Sequence, residues 1–184
     1  RLRRSWCRLL MSTTSTSTSD SHPQKKNESV KRAREDEGDV ELATRRAILA
    51  MQNACCKHSG YQVGACLQSA AGCLYTGINV ESDTYGLTCC AERTALFKAL
   101  SEGERQFSLL VTATKDGGIS CGACRQLLSE YCNGNMRTLF VDKEGKVVRD
   151  TTVAKMLPDP FILSGPNATA SSATSTIAYA TSQQ

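Results

Sequence analysis

The sequence predicts an α/β protein in which helices cover both faces of one sheet, a three-layer α/β/α sandwich. Three observations carry this expectation. Segments with helical and with extended character follow one another in the order helix, two strands, helix, strand, helix, strands. Phe107 to Thr114 is a near-continuous apolar run, the pattern of a strand buried on both faces. The chain has 184 residues, 40% of them hydrophobic, which is enough for one domain to bury a core without disulfide staples.

The elements follow in order. Asp39 is a plausible N-cap for a helix reaching about Cys55, with Leu42, Ile48, Leu49 and Met51 among its apolar positions and Arg45 and Arg46 turned outward. Gly60 ends the turn after it. Val63 to Gln68 and Cys73 to Val80 read as strands, and the Ser69-Ala70-Ala71-Gly72 turn between them predicts a hairpin. Glu92 to Leu100 is rich in strong helix formers and stops at Gly103. After the Phe107 to Thr114 strand, Lys115 to Ser120 is a glycine-rich loop, and Ala123 to Tyr131 is helical. Arg137 to Val141 and Lys146 to Val148 are strands around a Glu144-Gly145 turn, and Asp150 is expected to cap a short helix ending before Pro158.

The ordered domain is expected over residues 39–163. Residues 1–38 read as a disordered extension, with a Ser/Thr run from Ser12 to Ser19 and a mixed-charge stretch from Lys25 to Glu37. The first methionine is Met11, and the ten residues before it read as upstream translated sequence or part of a longer chain. Residues 164–184 carry no charge and are mostly Ser, Thr and Ala, which reads as a disordered tail. The extension holds the whole net charge of +4, leaving residues 39–184 balanced with 13 charges of each sign. A balanced domain, in a chain with only 5% aromatic residues, offers little to attract or stack nucleic acid, which favours a small neutral substrate.

The ten cysteines include adjacent pairs and isolated positions in apolar segments, unlike the spaced framework of a small secreted protein, and no apolar run is long enough for a signal core or membrane span. A reducing, cytoplasmic setting is expected. Two targeting readings stand beside it: a mitochondrial segment around Arg1, Arg3, Arg4 and Arg8, and a nuclear signal in Lys25-Lys26 with Lys31-Arg32-Ala33-Arg34, where a solvated charged linker is the favoured reading. Cys55, Cys56, Cys66, Cys73 and Cys132 are expected to act as small buried hydrophobes.

The chemistry lies in Cys90-Ala91-Glu92-Arg93 and, about thirty residues on, Cys121-Gly122-Ala123-Cys124-Arg125-Gln126. Three thiolates, from Cys90, Cys121 and Cys124, can hold one zinc ion and leave its fourth position for water, while Glu92 stands close enough to handle that water's protons. Each ligand group falls where a helix begins, so backbone N–H groups and the helix dipole favour the thiolates. Arg93 is placed to draw charge from Cys90 through a hydrogen bond to sulfur. A closed four-cysteine structural site including Cys89, and a redox pair at Cys121-x-x-Cys124, are the alternatives. Against the first, adjacent cysteines diverge in direction, and neither alternative accounts for Glu92.

These blocks resemble the zinc-dependent nucleobase deaminases. Over residues 40–163 the resemblance is to the small homotetrameric cytidine deaminases: His58-Ser59-Gly60-Tyr61-Gln62-Val63-Gly64-Ala65 is similar to their Tyr-Ser-x-Phe-x-Val-Gly-Ala, Asn79-Val80-Glu81 to their Asn-Ile-Glu, and the two cysteine blocks to their centre. The resemblance implies a mixed sheet, one zinc ion per subunit, a homotetramer in pyrimidine salvage, and hydrolytic deamination of cytidine and deoxycytidine with Glu92 as the proton carrier. It implies that Asn79 and Glu81 bind the ribose, that Tyr61 and Ala91 lie against the substrate, and that Phe161 reaches into a pocket. Glu81 separates the chain from the blasticidin deaminases, which lack that acid. His58, Tyr61 and Ser120 depart from the family's Tyr, Phe and Pro. A nucleic-acid cytosine deaminase and a non-catalytic zinc-stabilised interaction module are the rival functions.

Overall fold

The computed structural model describes residues 24–163, with side chains from residue 36 onward. The expectations for residues 1–23 and 164–184 lie outside the described residues.

Helix α1 runs over Gln24–Met51. Its beginning corrects the expectation that residues 24–38 lack structure and that Asp39 is the cap, since Asp39 lies in the helix interior. The stretch before it contains Gln, Lys, Glu, Arg and Ala, residues of high helix propensity, and no proline, so the helix extends beyond its packed portion. The packed face is in part the expected one, with Met51 buried, Ile48 packed against the core and Arg45 and Arg46 turned outward, but two of its leucines depart from it. Ala43, Ala47 and Met51 are buried, whereas Leu42 and Leu49 are exposed. The cause is close approach: a Cβ at Gly64 would overlap the Ala47 carbonyl oxygen and the Met51 amide nitrogen, and only small side chains fit at such a contact.

Five strands follow, β1 (Val63–Ser69), β2 (Leu74–Ile78), β3 (Phe107–Thr114), β4 (Arg137–Val141) and β5 (Val147–Thr152), in the spatial order β2-β1-β3-β4-β5. The β1–β2 hairpin is antiparallel, β1 pairs antiparallel with β3, β3 parallel with β4, and β4 antiparallel with β5, so the sheet is mixed. Helices α2 (Ala91–Ser101), α3 (Gly122–Tyr131) and α4 (Val153–Met156) complete the fold. Strand alternation splits the core by face. Cys66, Leu109, Val111, Leu139 and Val141 pack with α1, while Ala65, Leu67, Leu110 and Phe140 pack with residues of α2, α3 and α4, which makes the three expected layers.

Two expectations near the C-terminal side are corrected. β5 extends to Thr152, and Asp150 lies within it, where its carboxylate accepts from the Arg137 guanidinium at 2.7 Å. The short helix α4 is capped instead by Thr152, whose hydroxyl oxygen accepts from the Lys155 N–H. Among the cysteines expected to be buried, Cys66 and Cys132 are buried, Cys56 and Cys73 are half-buried, Cys55 is exposed, and Cys73 takes part in a disulfide.

Candidate active site

Two helix N-termini meet on the sheet face opposite α1. Cys90 is the N-cap of α2 and Cys121 the N-cap of α3, both with extended backbone, and Glu92 and Cys124 stand in the first turns. The sulfurs of Cys90 and Cys121 are 3.8 Å apart and those of Cys121 and Cys124 3.5 Å, with all three within 4.8 Å of one another. Tetrahedral sulfur ligands about 2.3 Å from zinc stand about 3.8 Å apart, so the cluster fits that ion. Cys89 is not part of it. Its sulfur accepts from the Thr94 hydroxyl, which agrees with the divergence of adjacent cysteines.

Electrostatics favour the assigned roles. The Cys90 thiol is pushed well below its ordinary range, first by the neighbouring Cys124 thiol and then by the Arg93 guanidinium, whose Nη2 lies 3.7 Å from its sulfur. The same Nη2 donates to the Thr88 carbonyl at 2.9 Å, which anchors Arg93 beside the cluster. Glu92 is 4% exposed, and burial pushes its carboxyl above the ordinary range. Ser120 offsets this in part, although its buried hydroxyl has no partner at hydrogen-bond distance and geometry among the described residues.

Several positioning residues were not assigned from sequence. Gly77 in β2 faces the start of α2 so closely that a Cβ would overlap the Ala91 carbonyl oxygen and the Ala95 nitrogen; a glycine inside a strand is the signal that marks such an approach. Ala91 itself is fully buried there. Arg125 donates from Nε to the Ser120 carbonyl at 2.8 Å and from Nη1 to the Met156 carbonyl at 3.2 Å, tying the loop before Cys121 to α4. Nothing in its one-dimensional pattern announces those partners.

The expected sugar-binding pair is divided. Asn79 is buried, its Oδ1 accepting from the Val63 N–H at 2.9 Å and its Nδ2 donating to the Tyr61 carbonyl at 2.8 Å, so its amide organises the entry to β1. Glu81 is half-buried at a cleft of about 380 Å³ bordered by Ala54, Cys55, Cys56 and Lys57. Its carboxylate accepts from the His58 N–H at 2.7 Å, the Ser59 N–H at 3.1 Å and the Ser59 hydroxyl. Backbone bonds from Cys55 to Asn79 and Glu81, and between Val80 and Cys89, join this segment to the cysteine block.

Tyr61 is half-buried, with its hydroxyl donating to Asp116 and Lys115 Nζ 5.4 Å from its ring centre. Phe161 is 69% exposed. Its backbone N–H and carbonyl are both held by the Gln126 amide, so its position is fixed while its ring stays in solvent.

Known proteins agree with this arrangement. A family model described as the cytidine and deoxycytidylate deaminase zinc-binding region matches residues 38–140. A cytidine deaminase of Sporosarcina psychrophila is 44% identical over 125 residues, covering 67% of this chain and 91% of that protein. One from Halalkalibacterium halodurans is 40% identical over 125 residues, covering 67% and 94%. The crystal structure of cytidine deaminase from Burkholderia pseudomallei superposes with a TM-score of 0.62 at 37% identity, covering 66% of this chain and 98% of that one. The sulfur cluster, the fold around it and the extent of these matches together place the chain in the cytidine and deoxycytidylate deaminase family of zinc-binding proteins.

Proposed function

We propose that this protein catalyses the zinc-dependent hydrolytic deamination of cytidine and deoxycytidine to uridine and deoxyuridine. The observation that carries the reading is the buried Glu92 carboxyl in the first turn of α2, next to a three-sulfur cluster sized for zinc. Held by Cys90, Cys121 and Cys124, zinc supplies the Lewis acidity that makes water a nucleophile near neutral pH. Glu92 takes a proton from the attacking water and passes it to N3 of the pyrimidine. It then carries a second proton to the amino group on C4, which leaves as ammonia, so cytidine and water give uridine and ammonia. Burial suits the task, because it raises proton affinity toward that of a group working near neutrality.

Arg93 tempers the negative charge of three thiolates by hydrogen bonding to Cys90. Glu81 accepts a hydrogen bond from a sugar hydroxyl, Asn79 holds the strand entry beside it, and Tyr61 borders the substrate, while the fully buried Ala91 seats the start of α2 on β2 behind it. Phe161, pinned and exposed, is presented to a neighbouring copy in a homotetramer, an assembly that the exposed Tyr85, Leu87 and Leu163 also support. The role this reading gives the protein is in pyrimidine salvage.

The test is uridine release from cytidine by purified protein of known zinc content, run beside single-stranded DNA containing cytosine. Turnover of the free nucleoside with no editing of the DNA is the expected result. Zinc-loaded protein inert on every cytosine compound would leave only the interaction-module reading.

A further inference from the structure

The loop from β3 to Cys121 has little internal stiffness. It contains Gly117 and Gly118 in succession, Gly117 at φ 74°, and Ser120 stands before Cys121 where a proline would fix the backbone. Cys121 is the exposed member of the cluster, so its sulfur has the least packing around it. On its helix side the start of α3 and the Arg125 bond to the Ser120 carbonyl hold it, and on the other side its position depends on whatever holds residues 115–119.

Tyr61 does this from outside the loop. Its hydroxyl donates to the Asp116 carboxylate, which also accepts from Thr114 Oγ1 at 3.2 Å. Thr114 Oγ1 in turn accepts from the Gly118 N–H at 2.7 Å. Gly118 lies so close to the ring that a Cβ there would overlap the Tyr61 hydroxyl. Asp116 is fixed by a backbone bridge to Asp142, just beyond β4, and Tyr61 is fixed by the Asn79 amide on its carbonyl and by Ser59 Oγ accepting from its N–H at 2.9 Å. Because Ser59 also holds Glu81, a continuous set of hydrogen bonds links the cleft beside Glu81 to the Cys121 loop.

We propose that Tyr61 and Asp116 form a latch that positions Cys121, and that the tyrosine hydroxyl supplies rigidity which Ser120 does not. A phenylalanine at 61 would keep the ring and lose the latch. The inference rests on the zinc-site reading above, but its test needs no substrate: zinc-loaded protein is mixed with excess chelator and the rate of zinc release is followed. A hydrogen bond to a carboxylate predicts release roughly tenfold faster in Tyr61→Phe and in Asp116→Ala. The double variant should be no faster than either single one, since both remove the same interaction. Ser120→Pro in the Tyr61→Phe background should slow release toward the parent rate by restricting the loop directly, a rescue that general loss of stability would not allow.

Single variants releasing zinc at the parent rate, effects that multiply in the double variant, or no rescue by Ser120→Pro would each overturn the latch. Failure to deaminate cytidine with these zinc kinetics intact would instead remove the substrate reading and leave the latch standing.

Discussion

The sulfur cluster and the sugar-side rim are built by different means. At the cluster, each side chain hangs from a helix start: Cys90 and Cys121 are N-caps, and Glu92 and Cys124 follow in the first turns. Helix geometry, with Gly77 letting α2 settle on β2, fixes their separations before any ligand arrives. At the rim, Glu81 lies outside helices and strands, and the His58 N–H, the Ser59 N–H and the Ser59 hydroxyl hold its carboxylate. Bond making tolerates little misplacement, so its groups sit on rigid elements. The proposed sugar contact tolerates more adjustment, and Glu81 sits on a segment outside the regular elements.

The first way to break this contrast is to remove a member of the cluster. Cys121→Ser should lose zinc and all measurable turnover, and because metal binding is coupled to folding, its Tm should fall by more than about 5 °C. Metal analysis and thermal melts read both outcomes. Full zinc retention would mean that the three sulfurs do not act as a unit.

Glu92→Gln should act on chemistry alone. The amide has the carboxyl's shape and no proton to exchange, so zinc content should remain near one per chain while kcat falls on the order of 10²-fold or more. Steady-state kinetics with metal analysis on the same sample checks this. A kcat near the parent value would require another proton carrier.

The same contrast explains what the sequence disclosed. Zinc needs particular residue types at short spacings, so Cys90, Cys121 and Cys124 were legible as a cluster, and Glu92, two residues from Cys90, is the carboxyl that the same helix start buries. β3 and β4 fell where apolar runs marked them, since burial on both faces leaves a one-dimensional trace. The Arg125 anchors, the Tyr61–Asp116 bond across 55 positions and the use of Asp150 as a cross-strand partner of Arg137 have no such trace. Each depends on which segments become neighbours. The start of α1 differs for another reason: its mixed charges read as a solvated segment, yet the same residues have high helix propensity.

The rim gives the smallest effect and the sharpest test of the contrast. Glu81→Gln should raise KM for cytidine roughly tenfold and change kcat little, since the amide still offers an acceptor but gives up the charge-assisted bond. The Glu81 carboxyl is held below its ordinary 4.5, first by the Ser59 hydroxyl and then by the His58 N–H. A depressed carboxyl keeps its charge at neutral pH and loses it only as pH falls through the lowered value, so the KM ratio of Glu81→Gln to parent should stay flat from pH 8 to about pH 5 and shrink only below that. Ser59→Ala removes the largest cause of the depression. It should shift the shrinkage to higher pH, toward the ordinary carboxylate range, without changing zinc content or the kcat of the cluster. A ratio that varied with pH between 6 and 8 would show that the rim and the cluster titrate together, and the separation between a rigid chemical end and an adjustable recognition end would not hold.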